Sequence, residues 1–335
     1  MFVVNDLGLA ILFCVITMLG WGSWANTQKL AGKDRWPFAL YYWDYAIGVV
    51  LMAIVFLFTM GSMGSSGEPA LANLAGSHVG CLALAFASGV LFNISNILLV
   101  VAIDAAGMSV AFPVGVGLAL VIGTVASYVQ APKGSATLLA LGVALVVLAM
   151  VMSALAYSKL PRPADGGWAR GVVYAAVAGC LMGFFYPQLA KSISPAFNTA
   201  PIREGMLTPY TALLLFSLGL LVSNLAVNTI FMRSSGARYS DYFAGRFRLH
   251  LLGVAGGMIW MLALSLNVIA SGVAGPAISY ALGQGATLVA AIWGLLIWRE
   301  FREAPRSALP FIVLMFLGYA AGLLLIGLAT VGGAA

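Results

Sequence analysis

The 335 residues are 62% hydrophobic and only 8% charged, with a mean hydropathy of +1.03. Soluble domains carry roughly 25% charged residues, so 16 Lys and Arg with 10 Asp and Glu cannot clothe a chain of this length against water, and lipid must take water's place. The formal net charge of +6 does not point to nucleic acid, because the basic residues lie in short connectors and form no basic helix or aromatic-lined patch.

Taken in chain order, ten apolar runs reach the roughly 20 residues that cross a bilayer: 7–29, 37–60, 78–103, 105–130, 136–157, 168–193, 207–232, 249–271, 273–298 and 308–331. Breakers separate them, among them Lys33-Asp34-Arg35, the glycine-rich stretch 61–67, Pro132-Lys133-Gly134, Pro161-Arg162-Pro163 and the charged run 299–306. The first run has no Lys or Arg before it and is expected to stay as a helix, not to be removed as a signal peptide. Thirteen of the 16 Lys and Arg fall in connectors after odd-numbered runs, against Lys133, Lys191 and Arg203 on the other side. Cytoplasmic loops collect Lys and Arg, so both termini are expected outside a bacterial-type inner membrane.

The chain repeats itself. A shift of 168 lays residues 89–124 on 257–292 without a gap, with ten identical pairs that include Gly89/Gly257, Gly107/Gly275, Gly115/Gly283 and Gly117/Gly285, and with Phe92 on Trp260. A shift of 163 lays Gly8 and Gly20 on Gly171 and Gly183. Two five-span halves, 1–158 and 159–335, are therefore expected. An odd number of spans makes the second an inverted copy of the first, the arrangement that lets two halves alternate around a central site.

Polar side chains deep in a span are costly, so they should face the bundle interior. The third run carries Phe92, Asn93 and Asn96, the two amides at i,i+3; they suit a neutral hydroxylated or amide-bearing solute, and they would equally serve as interhelical glue. The first run carries Trp21, Trp24 and Gln28, readable as a pocket wall or as an interfacial aromatic belt. In the second half Trp260 and Asn267 share one helix face, Tyr280 and Gln284 lie four apart, and Phe112 is the repeat partner of Tyr280; Tyr186 is a further candidate. The substrate-site expectation is thus Trp21, Trp24, Gln28, Phe92, Asn93, Asn96, Phe112, Tyr186, Trp260, Asn267, Tyr280 and Gln284. Asp44, in Tyr41-Tyr42-Trp43-Asp44-Tyr45, is either a coupling carboxylate or the structural partner of Lys29. Asn224 and Asn228 are weaker candidates. Gly115, Gly117, Gly123, Pro113, Pro187 and Pro276 are readable as hinges or as tight-packing positions.

No catalytic motif, Walker A sequence or metal-spaced Cys/His set occurs, and Cys14, Cys81 and Cys180 fall inside apolar runs as small hydrophobes. No enzyme, cofactor, metal or disulfide is expected.

Residues 89–124, with Asn93-Ile94-Ser95-Asn96, Gly107-Met108-Ser109 and Gly123-Thr124, resemble the third and fourth helices of the glucose/ribose porter, L-rhamnose/proton symporter and ureide permease branch of the drug/metabolite transporter superfamily. Trp43-Asp44-Tyr45 and Gly256-Gly257 followed by Trp260 carry the same resemblance along nearly the whole chain. It implies an all-α membrane protein of ten transmembrane helices in two inverted five-helix repeats. It also implies uptake of sugars or ureide-type nitrogen compounds, often driven by protons. The partners so expected are a small polar solute, H+ and the lipid bilayer. Efflux of aromatic or amphipathic compounds, and a facilitative uniporter or channel, are the alternative readings.

Overall fold

The structure, a computed structural model, describes residues 1–107, 111–160, 168–302 and 304–331. Among these lie ten helices long and apolar enough to cross a membrane: α1 Leu7–Gly32, α2 Phe38–Phe58, α3 Val79–Ala106, α4 Pro113–Gln130, α5 Ala136–Tyr157, α6 Ala169–Ser192, α7 Pro209–Ser234, α8 Phe247–Ala274, α9 Pro276–Ile297 and α10 Arg306–Val331. The protein is an all-helical, multi-pass membrane protein, and all ten expected runs are present as helices. The expected breaker at Pro161-Arg162-Pro163 lies outside the described residues.

Chain chemistry sets the ends. The Asp6 carboxylate caps α1 by accepting from Leu9 N at 2.7 Å, and Thr208 Oγ1 caps α7 by accepting from Thr211 N with Pro209 in the first turn. Two boundaries differ from the sequence expectation: α3 runs on to Ala106, past its expected end at 103, and α9 starts at 276 instead of 273. A glycine with positive φ follows the first and precedes the second, Gly107 at φ +77 and Gly275 at φ +84, a conformation that turns the chain and that side chains disfavour. These two glycines are partners under the 168-residue shift, so the repeat extends to backbone geometry.

The chain forms two compact units, Met1–Ile94 with Gln188–Val273 and Ser95–Pro187 with Ala274–Ala335. Each unit takes helices from both expected halves, so packed units and sequence repeats divide the chain differently.

In the first unit two helix crossings are built on glycine. A Cβ on Gly257 of α8 would overlap the Tyr45 carbonyl oxygen of α2, and one on Gly48 would overlap that of Val254. A Cβ on Gly89 of α3 would overlap the Phe216 carbonyl oxygen of α7, and one on Gly219 would overlap that of Phe86. The α3 and α8 positions differ by 168 (Gly89/Gly257, Phe86/Val254) and the α2 and α7 positions by 171 (Gly48/Gly219, Tyr45/Phe216). The α2–α8 and α7–α3 crossings are one contact made twice. With no hydrophobic drive between helices in lipid, such backbone approach supplies the association through close packing.

In the second unit α5 and α10 meet through Gly142 and Gly322, where an added Cβ would stand 2.8 Å from the other glycine's carbonyl oxygen. There Gly123 of α4 lies against the Tyr280 ring of α9. Cys14, Cys81 and Cys180 are free thiols. Outward apolar side chains such as Leu225, Ile230 and Leu317, each more than half exposed, form the surface that lipid would cover.

Candidate functional site

The two glycine crossings bring four repeat-related aromatic rings together in the first unit. Phe92 and Trp260, partners at a shift of 168, touch at a centroid distance of 4.3 Å. Each also meets an aromatic of the crossed helix: Phe92 lies 5.8 Å from Phe216, and Trp260 lies 6.4 Å from Tyr45. Phe216 and Tyr45 are themselves partners at a shift of 171. Trp21 of α1 stacks on Trp260 at 6.1 Å and 20°, Phe216 stacks on it at 5.9 Å and 18°, and Trp24 meets Tyr45 at 5.0 Å. Trp260 is thus the hub of an aromatic cluster drawn from α1, α2, α3, α7 and α8.

Polar groups within this apolar surrounding are incompletely bonded. Asn93, fully buried, donates from Nδ2 to Ser223 Oγ at 2.9 Å, while its Oδ1 has no hydrogen-bond partner. The Tyr45 hydroxyl, the Trp21 Nε1–H and both side-chain polar atoms of Asn224 are also buried without a hydrogen bond. Leaving such groups unmade costs about 1–3 kcal/mol each, and buried polar groups are ordinarily satisfied. Asn228, one turn on from Asn224, donates to the Ala39 carbonyl at 2.9 Å and is a structural tie.

Of the residues singled out in the sequence, Trp21, Trp24, Phe92 and Trp260 come together here, and Asn93 follows Phe92 on α3 with its amide bonded to α7. Gln28 is half-buried in the last part of α1, and Asn267 is fully buried on α8. In the second unit Tyr186 and Tyr280 pair at 4.9 Å, Tyr280 donates to the Ala119 carbonyl at 3.3 Å, Gln284 is half-buried, and Asn96 is buried. The Phe112 side chain lies outside the described residues. Tyr45, Phe216 and Ser223 were missed; a second shift, of 171, laid on the second and seventh runs would have exposed the first two.

Asp44 is buried on α2. Where the sequence offered Lys29 as its partner, the structure supplies His250 Nδ1 at 2.9 Å and the Tyr242 hydroxyl at 2.7 Å. Tyr242 stands on a short helix, Tyr239–Phe243, in the connector before α8. Burial, then its bond to the carboxylate, raises its pKa, so it remains an O–H donor at physiological pH. Trp36 packs edge-on against His250 at 5.4 Å.

An aromatic hub with buried polar atoms left unbonded, in a bundle of membrane-spanning helices with a duplicated packing plan, accords with a solute carrier. Residues 41–162 match the ureide permease family model. The chain is 24% identical to Ureide permease 1 of Arabidopsis thaliana, over 95% of this chain and 96% of that protein. It is also 24% identical to Ureide permease 2 of the same plant, over 92% and 93% respectively. A solved crystal structure aligns with a TM-score of 0.57 at 15% identity, covering 95% of this chain and 97% of that one, which speaks to the fold alone. The permease relatives make this chain a membrane transporter and not an enzyme, and they support the ureide permease branch to which its motifs point.

Proposed function

We propose that the protein is a secondary carrier that takes up a small neutral polar solute of the ureide or nucleobase type, in which planar carbonyl and N–H groups alternate. The observation that carries this is a set of buried, unbonded polar atoms in the first unit: one N–H donor at Trp21 and the Tyr45 hydroxyl, which can do either, both on rings that meet Trp260, and one acceptor at Asn93 Oδ1, next in sequence to Phe92. A planar amide-bearing solute offers both kinds of partner at its edge and a face for stacking on Trp260. The names of the plant relatives support the same class, with sugars as the neighbouring possibility. In this reading the halves 1–158 and 159–335 are inverted repeats that alternate access, the connectors after odd-numbered helices are cytoplasmic with both termini outside, the membrane is of the bacterial inner type, and a proton gradient drives accumulation.

Purified protein in liposomes tests this with labelled ureides, nucleobases and sugars, with and without an imposed pH gradient. The expected result is counterflow of a ureide-type solute and accumulation that collapses with a protonophore. A channel gives no counterflow, and a response to sugars or amphipathic aromatics alone discards the ureide class. Asn93→Ala is expected to lower uptake roughly tenfold, the worth of one hydrogen bond of about 1.4 kcal/mol. Ser223→Ala, which leaves Oδ1 in place, should lower it much less; equal and negligible effects of both changes remove the amide from the site.

A further inference from the structure

We infer that Asp44 and His250 together form the proton-carrying site of this carrier, an inference that rests on the coupled-uptake reading above. The first ground is the duplicated crossing. Shifts of 171 and 168 place Asp44 on Leu215 and His250 on Leu82, so one contact built twice holds a buried carboxylate–imidazole pair in one copy and two leucines in the other. The α7–α3 crossing closes without an ion pair, and the same backbone approach holds α2 to α8. Packing does not require the pair, and burying charge in a span is costly. Ionisable side chains inside spans mark substrate or ion pathways, proton relays among them.

The second ground is geometry. With Asp44 ionised its carboxylate only accepts, and the imidazole nitrogen 2.9 Å from Oδ2, Nδ1, then carries the hydrogen. The nitrogen left to take up a proton is Nε2, which faces Gly245 of the connector: a Cβ built there would lie 2.8 Å from it. The His250 side chain is 22% exposed and Asp44 only 4%, so the histidine is the member that meets water, on the connector that the proposed orientation makes cytoplasmic, and the carboxylate is the buried counter-charge. The groups facing the pair are Tyr242 from the connector, Tyr41 from α2, whose hydroxyl bonds to Thr27 at 2.7 Å, and the Trp36 ring. Arg246 and Arg248 flank the connector on its exposed side. With Nε2 unprotonated the pair carries one negative charge. A proton accepted there while the site is open to the outside makes an imidazolium–carboxylate pair of no net charge, and its release to the cytoplasmic water that His250 meets in this structure restores the first state. Neutralisation replaces an uncompensated buried charge with a paired one before the site closes away from water.

The test compares the full chain with His250→Gln, which keeps a donor to Asp44, and with the double change Asp44→Leu plus His250→Leu, which copies the leucine crossing and so guards against misfolding. In liposomes, solute counterflow without a pH gradient is expected to persist in both, because the pair lies outside the Trp260 cluster. Accumulation under an acid-outside gradient is expected to fall from roughly tenfold per pH unit, the limit for one coupled proton, to simple equilibration, and solute-evoked alkalinisation outside to vanish. Accumulation at the wild-type level in either variant overturns the assignment. So does loss of counterflow together with accumulation in a monodisperse variant, which would make the pair part of the solute site. Absence of counterflow in the unaltered protein fails the carrier reading itself, a separate outcome.

Discussion

Trp260→Ala is expected to abolish uptake and to destabilise the first unit by about 3–5 kcal/mol, the usual range for truncating a buried aromatic. Trp260 is 5% exposed and touches Trp21, Tyr45, Phe92 and Phe216, so its removal opens a void where α1, α2, α3, α7 and α8 all meet. A thermal unfolding scan in detergent measures the packing loss and liposome uptake measures the site. Trp260→Phe restores the ring at its repeat partner's size and should recover most of the stability. If it recovers uptake to the same degree, the indole contributes packing alone; if uptake stays low while stability returns, the larger ring face acts on the solute.

Gly257→Leu and Gly89→Leu are expected to prevent assembly to the same extent, each costing about 3 kcal/mol or more through forced separation of helices. The added side chains would collide with backbone carbonyl oxygens, those of Tyr45 and Phe216, and backbone cannot rotate aside as a side chain can. Yield of monodisperse protein by size-exclusion chromatography is the measurement. Gly80→Leu, with nothing within 4 Å of its added Cβ, is the tolerated control. A large difference between Gly257→Leu and Gly89→Leu would break the equivalence of the two crossings, and with it the structural argument that sets the Asp44–His250 pair apart from its leucine counterpart.

Much of the candidate site was visible in the sequence because burial in lipid leaves polar and aromatic residues conspicuous against aliphatic ones. Asn93, Trp21 and Trp260 stood out for that reason, and Phe92 entered through its alignment with Trp260. Phe216 did not, since one phenylalanine among 18 carries no mark until its partner helix is known. Nor does the sequence mark His250: 206 positions separate it from Asp44, and no local spacing relates them.

Length, composition and the roughly 20-residue period of apolar runs by themselves determined the solvent, the number of helices and the internal duplication. Those properties follow from the hydrocarbon thickness and from backbone hydrogen bonding that each helix satisfies within itself. Which helices cross, which rings meet around Trp260 and which base faces Asp44 were decided only by the tertiary structure. In lipid, association depends on close fit between surfaces brought together from distant parts of the chain, and a linear pattern does not record that fit.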